Sequence, residues 1–327
     1  MKWNKRCLSR SIAVLCLVLL IFDSRVILEG VRTGMELCLK TVIPSLFPFF
    51  VISLVLINTS NDRISRLSQV LMRILKIPET AASVLIPSFL GGYPVGAKCV
   101  GDLYHREQIS KGEADRLLTF CSNAGPSFLF GILSQFFSDR KLIWMLWIIH
   151  ILSAVLTAMI IPVKKTDFVS QPRMQISEKS ILLAAARAMC IVCCWVVLFR
   201  GIIHFLNSWF CWCLPVWTQV CLTGILELTN GCCQLSLISD VGVRFVLCSC
   251  LLAFGGVCVL LQTASVTEGL SLWCYMKGKM IQTLFSLWLS CTIVFDKNII
   301  FAGFLPILLM LLRKIQNRYR NPRVIPV

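Results

Sequence analysis

Charge is scarce in this chain, and acid is scarcer than base. Charged residues fill 15% of 327 positions, with 16 acids against 32 bases. A soluble domain carries roughly a quarter. Histidine occurs three times, at His105, His150 and His204, far apart and matched to no nucleophile. No Gly-x-Ser-x-Gly elbow, phosphate-binding loop or dinucleotide glycine pattern is present. These absences argue against an enzyme and imply no cofactor. An intramembrane enzyme lacks a nucleophile–base pair.

Two abundances have plain explanations. The 18 cysteines lie mostly inside apolar runs such as "CIVCCWVV" (190–197), "WFCWCLP" (209–215) and "LCSCLLAF" (247–254), where a free thiol behaves as a small hydrophobe. Cys190, Cys193 and Cys194 hold one Cys-x-x-Cys spacing, but no second pair completes a zinc site. The net charge of +16 raises nucleic-acid binding. No basic helix is interleaved with exposed aromatics, so that class is set aside. The bases instead cluster in short loops beside apolar spans, the habit of cytoplasmic loops.

What remains is apolar length. The chain is 57% hydrophobic, with a mean hydropathy of +0.79. A membrane helix needs about 20 largely apolar residues. Eight candidates follow: Leu8–Leu28, Leu37–Ile57, Leu117–Phe137, Leu142–Pro162, Ile181–Leu206, Arg244–Thr267, Met280–Phe295 and Ile299–Leu312. The first has a basic start but no small-x-small cleavage site and reads as a retained helix. The fold class expected is an all-α polytopic membrane protein.

Basic residues orient it. The N-terminal tail, the loop 58–80, the linker 163–180 and the tail 313–327 all carry Lys and Arg and belong inside. That bookkeeping works only if two apolar segments, Ala81–Val100 and Pro215–Ile238, enter and return without crossing. About eight spans and two re-entrant hairpins then place both termini in the cytoplasm. The hairpins face opposite sides of the membrane, as inverted repeats require.

The hairpins carry polar breaks. "GGYP" (Gly91, Gly92, Tyr93, Pro94) combines residues that free the backbone with one that ends a helix. The helix start after Pro94 would suit an anionic or polar ligand. Two readings stand for Lys98: a charge added near that helix start, or a side chain snorkelling to the interface. Tyr93 reads either as a stacking platform or as an interfacial tyrosine. "SNAGP" supplies Ser122, Asn123, Gly125 and Pro126, either a ligand path or a kink bonded to a neighbouring helix. Glu227 is the one carboxylate deep in an apolar run of the second half, a functional candidate by default, and Thr229 and Asn230 go with it. Gln262 is a further candidate, with an interhelical hydrogen bond as the alternative. "HREQISKGEADR" (105–116) reads as an exposed connector with a Ser110/Glu113 capping box.

These stretches carry a resemblance. "TVIPSLFPFFVIS" (41–53), "GGYPVGAK" (91–98), "EADRLLTFCSNAGPSFLFGIL" (113–133), "LELTNG" (226–231) and "FGGVCVLLQ" (254–262), in that order, resemble the sporulation integral membrane protein YlbJ family. Cys258 stands where that family's late motif usually has serine. The resemblance implies paired nucleoside-recognition "gate" halves, similar to those of concentrative nucleoside transporters and ferrous-iron transporter membrane domains. It implies a first half over 37–162 and a second over 181–312, after an N-terminal helix and loop (1–36). It also implies a multi-pass cell-membrane protein of an endospore former, in the forespore or mother-cell membrane, with a role in the spore envelope or cortex. The expected partners are the lipid bilayer, a small polar solute, and either a second copy or other spore-membrane proteins. A carrier and a non-transporting assembly scaffold are the competing functions.

Overall fold

The computed structural model describes residues 21, 23–59, 66–162, 178–210 and 213–295, which contain helices and no strand. Among them four segments are long and apolar enough to cross a bilayer: Ser24–Ile52, Arg140–Ile160, Ile181–Trp209 and Val241–Val266. The chain is a helical membrane protein.

Helix α1 (Ser24–Leu37) starts behind Asp23, whose carboxylate accepts the Val26 N–H. Just before Pro44 it widens into a π-turn over Cys38–Val42, then continues as α2 (Ile43–Thr59). Proline withdraws a backbone donor, and a π-turn is one way a helix absorbs that loss. The expected separation of spans at 8–28 and 37–57 is therefore corrected: the end of the first belongs to the same rod as the second, and its start lies outside the described residues. Gly30 and Gly34 hold α1 in place. A Cβ on Gly30 would stand 2.9 Å from Gly201 Cα, the close approach that small-x-x-x-small faces allow.

After α3 (Arg66–Leu75) and a 3-10 stretch (Glu79–Val84), α4 (Leu85–Leu90) ends at Gly91, and α5 (Val95–His105) begins after Pro94. Gly92 has φ +78° and the Tyr93–Pro94 peptide is cis. On α5, Lys98 forms an ion pair with Asp102, four residues on, at 2.8 Å.

The capping box is present. The Ser110 N–H donates to Glu113 Oε2 at 2.8 Å and the Glu113 N–H donates to Ser110 Oγ at 3.2 Å, opening α6 (Lys111–Leu118). The segment is not a merely exposed connector, however. Arg116 is buried and donates to the carbonyls of Leu75, Lys76, Ala158 and Ile161. Its guanidinium thus serves the orphan C-terminal carbonyls of two helices.

Leu117–Phe137, expected as one span, is broken. Residues Thr119–Gly125 are non-helical, and a π-turn (Ser127–Ile132) and a 3-10 turn (Leu133–Gln135) follow. Other elements take over the missing helical bonds, as described below. Then come α7 (Arg140–Ile160) and α8 (Glu178–Trp209).

In the second half, α9 (Val216–Leu226) stops at Glu227 and α10 (Leu228–Gln234) resumes. The two fold back so closely that a Cβ on Gly231 would collide with Gly224 Cα. Helix α11 (Val241–Phe254) ends at Gly255, φ +81°, and α12 (Gly256–Val266) follows. The expected span 244–267 is thus present as the crossing-length segment Val241–Val266, interrupted at Gly255. Helix α13 (Leu272–Val294) starts eight residues before the expected Met280, capped by Ser271. Span Ile299–Leu312 lies outside the described residues.

Helix α13 runs against the break after α6. A Cβ on Gly278 would strike the backbone of Thr119, whereas one on Gly131 would meet nothing within 4 Å. Gly278→Ala is expected to cost about 1–3 kcal/mol by overpacking and Gly131→Ala to be near neutral, as read from thermal unfolding of the detergent-solubilised protein. Equal melting points would contradict this packing.

Candidate functional site

Four helix interruptions meet. Gly92 and Gly125 touch backbone to backbone: a Cβ on Gly125 would lie 2.8 Å from Gly92 N. Tyr93 reaches across to the second half and donates its hydroxyl hydrogen to Leu252 O at 2.8 Å. A Cβ on Gly255 would sit 3.4 Å from Tyr93 Cζ. Gly256, also left-handed at φ +84°, faces the carbonyls of Gly224 and Ile225 and the N–H of Leu228. Only glycine takes such backbone and such proximity at little cost.

A narrow cavity opens at this junction, with about 60 Å³ of space for water-sized groups. A single water needs roughly 10–15 Å³ by that measure, so the space takes a few water-sized groups. Gly92, Tyr93, Gly125, Glu227, Thr229 and Gln262 line it together with Ser45, and apolar residues of α2, α8 and α12 close it. Six of the twelve expected site residues therefore share one cavity.

Glu227 is 3% exposed. Its backbone is extended, and its carboxylate oxygens accept the N–H groups of Thr229 at 2.9 Å and Asn230 at 2.7 Å. The carboxylate thus caps α10, where the helix dipole favours negative charge. No base lies within ion-pair distance of it among the described residues. Gln262 donates Nε2 to Cys258 Sγ at 3.2 Å, within its own helix.

The other six expected residues sit beside the cavity. Gly91 and Pro94 shape the turn. In the helix that starts after Pro94, Gly96 packs against Cys121 O and Ser88 Cα. Pro126 opens the π-turn, and Asn230 gives its N–H to Glu227. Asn123 is a latch: Nδ2 donates to Phe120 O at 2.7 Å and Ser88 O at 3.2 Å, while Oδ1 accepts from Gln282 Nε2 at 3.0 Å. Ser122 gives its carbonyl to Lys279.

Lys279 is the residue that sequence reading missed. It is fully buried in α13. Its ammonium donates to Ser122 O, to Tyr93 Oη at 3.1 Å and to Gln282 Oε1 at 2.8 Å, and lies 4.9 Å from the Tyr93 ring centre. His150, on α7, accepts the Ala124 N–H through Nε2 at 2.9 Å. The signal was there in "KGKMIQ": a lysine with glutamine three residues on shares one helix face, and an intramembrane charge is a site by default.

Comparison with known proteins adds one likeness. A 117-residue stretch is 36% identical to the sporulation integral membrane protein YlbJ of Bacillus subtilis (strain 168), covering 35% of this chain and 29% of that protein. The match thus spans less than a third of the relative's length. No family model and no solved structure matches the chain.

Tyr93→Phe is expected to leave Leu252 O and one Lys279 donor unpaired, costing about 1–3 kcal/mol. A melting point within error of the parent protein would remove Tyr93 as a bridge between the halves.

Proposed function

We propose that the protein is a membrane carrier for a small polar solute and acts in endospore formation. The observation that supports it best is the convergence of four helix interruptions on one cavity whose mainly apolar wall carries Tyr93, Glu227, Thr229 and Gln262. Broken helices persist at membrane depth only when buried in protein or lining a wet space, and carriers place their sites where such breaks meet. Glu227, Thr229 and Gln262 would receive the solute's hydrogen-bond donors, with Tyr93 as the wall facing the second half. In this reading Gly91–Pro94, Ser122–Pro126 and Glu227–Asn230 are the moving tips of two gate halves. A nucleoside-like solute is proposed by analogy of fold alone, and the cavity would have to widen to admit one. The sporulation role rests on the likeness to YlbJ. The protein is read as a non-enzyme in a forespore or mother-cell membrane with cytoplasmic termini.

One feature favours the scaffold reading. Asn123, Ser122 O and the Tyr93 hydroxyl are committed to protein partners, as in a lock between helices. Two variants separate the readings. In the encoding organism, Glu227→Gln and Gln262→Ala are expected to reduce heat-resistant spores at least about tenfold while membrane levels stay normal, the scale of losing one good polar contact. Full sporulation by both variants would sink the carrier reading. Uptake of labelled nucleosides into proteoliposomes then tests the solute class directly.

A further inference from the structure

Lys279 uses three donors at once, toward Ser122 O, Tyr93 Oη and Gln282 Oε1. Only the ammonium has three; a neutral amine has two donors and a lone pair. The arrangement is therefore built around the protonated form. Its acceptors are an uncharged carbonyl, hydroxyl and amide. No carboxylate lies within ion-pair distance of it among the described residues. A buried charge normally takes a counter-charge. Here it takes pieces of two helix breaks.

We propose that Lys279 is a proton-binding site that sets whether the breaks of the first half stay joined to α13. The inference deepens the carrier reading and rests on it for its purpose. On release, one Nζ–H bond breaks and the electron pair stays on Nζ. The proton passes to a neighbouring hydroxyl oxygen as that group hands its own proton on toward water. The neutral amine must drop one of its three acceptors and turn a lone pair on it. Gln282 is on the same helix, so the bond that fails is the one to Ser122 or the one to Tyr93.

The Tyr275 ring centre lies 5.8 Å from Lys279 Nζ. Its hydroxyl faces those of Ser122 and Thr263, and all three are buried. These hydroxyls are the neighbours that would take the proton in its first step.

The titratable groups that face Lys279 are Tyr93 of the first break, Cys121 of the second, His150 of α7 and Tyr275 of its own helix. His150 is the rival switch, with the opposite sign. Proton uptake at its Nε2 would expel the Ala124 N–H and loosen the break as pH falls. Proton loss from Lys279 loosens it as pH rises.

The test is hydrogen exchange of amides 119–125 in the full chain in nanodiscs from pH 5.5 to 9. Rates are expressed as protection factors, so the base catalysis of exchange itself cancels. Protection is expected to fall about tenfold toward alkaline pH, the scale of losing one charge-assisted hydrogen bond. Lys279→Met is expected to be loosened at every pH and Lys279→Arg, always charged, to show no alkaline loss. Flat protection in the parent protein, loss toward acid, or the same alkaline loss in both variants overturns the proposal. Nucleoside uptake on the same preparations separates the two claims. A switch without uptake leaves the proton site standing and counts against the carrier. Uptake with flat protection does the reverse.

Discussion

The structure depends on backbone that leaves the helix while buried inside a helical membrane protein. Each unpaired N–H or C=O there costs several kcal/mol, so every break needs a substitute partner. The substitutes are side chains, some from within the break and some from distant helices. Asn123 takes Phe120 O, His150 takes the Ala124 N–H, Lys279 takes Ser122 O, and Glu227 takes two amides of the helix after it. The polar residues of this membrane protein are therefore explained first by the main chain they serve.

The early and late parts of the chain hold each other through the same logic. Tyr93 spans from the first break to the Leu252 carbonyl, and Lys279 reaches back from α13 to Tyr93 and Ser122. Gln282 extends the chain of bonds to Asn123 and, through it, to Ser88. Glycine then brings main chain against main chain at Gly92–Gly125, Gly224–Gly231 and Gly256. Packing this close is stiff, and it leaves a cavity of only about 60 Å³ at its centre.

Much of this was legible in the sequence, and what was not has physical reasons. The breaks at Gly91–Pro94, Ser122–Pro126 and Glu227 are visible because glycine, proline and a carboxylate interrupt apolar runs. Which breaks touch is a long-range fact that no local pattern carries. Lys279 was missed because two lysines in "MKGKM" lower local apolarity, which pushed the expected start of the span to Met280. The structure begins that helix at Leu272 and buries the second lysine. The run from α1 to α2 was misread for the converse reason. The residues between the two expected spans, "EGVRTGME" (29–36), look like a loop by polarity, yet Gly30 and Gly34 face α8. Arg116 was hidden inside a stretch whose composition is that of an exposed turn.

The seam between α1 and α8 has a consequence for biogenesis. Gly34 on α1 packs on Val197 and Arg200 of α8, and those residues are synthesised more than 160 positions later. At about 5–20 residues per second, the glycine face of α1 waits on the order of ten seconds or longer in the bilayer before its partner exists. During that interval the ribosome and the insertion machinery, or another helix with small residues, are all that such a face can meet. The order of emergence thus makes α1 the segment whose early company decides whether the rest assembles correctly.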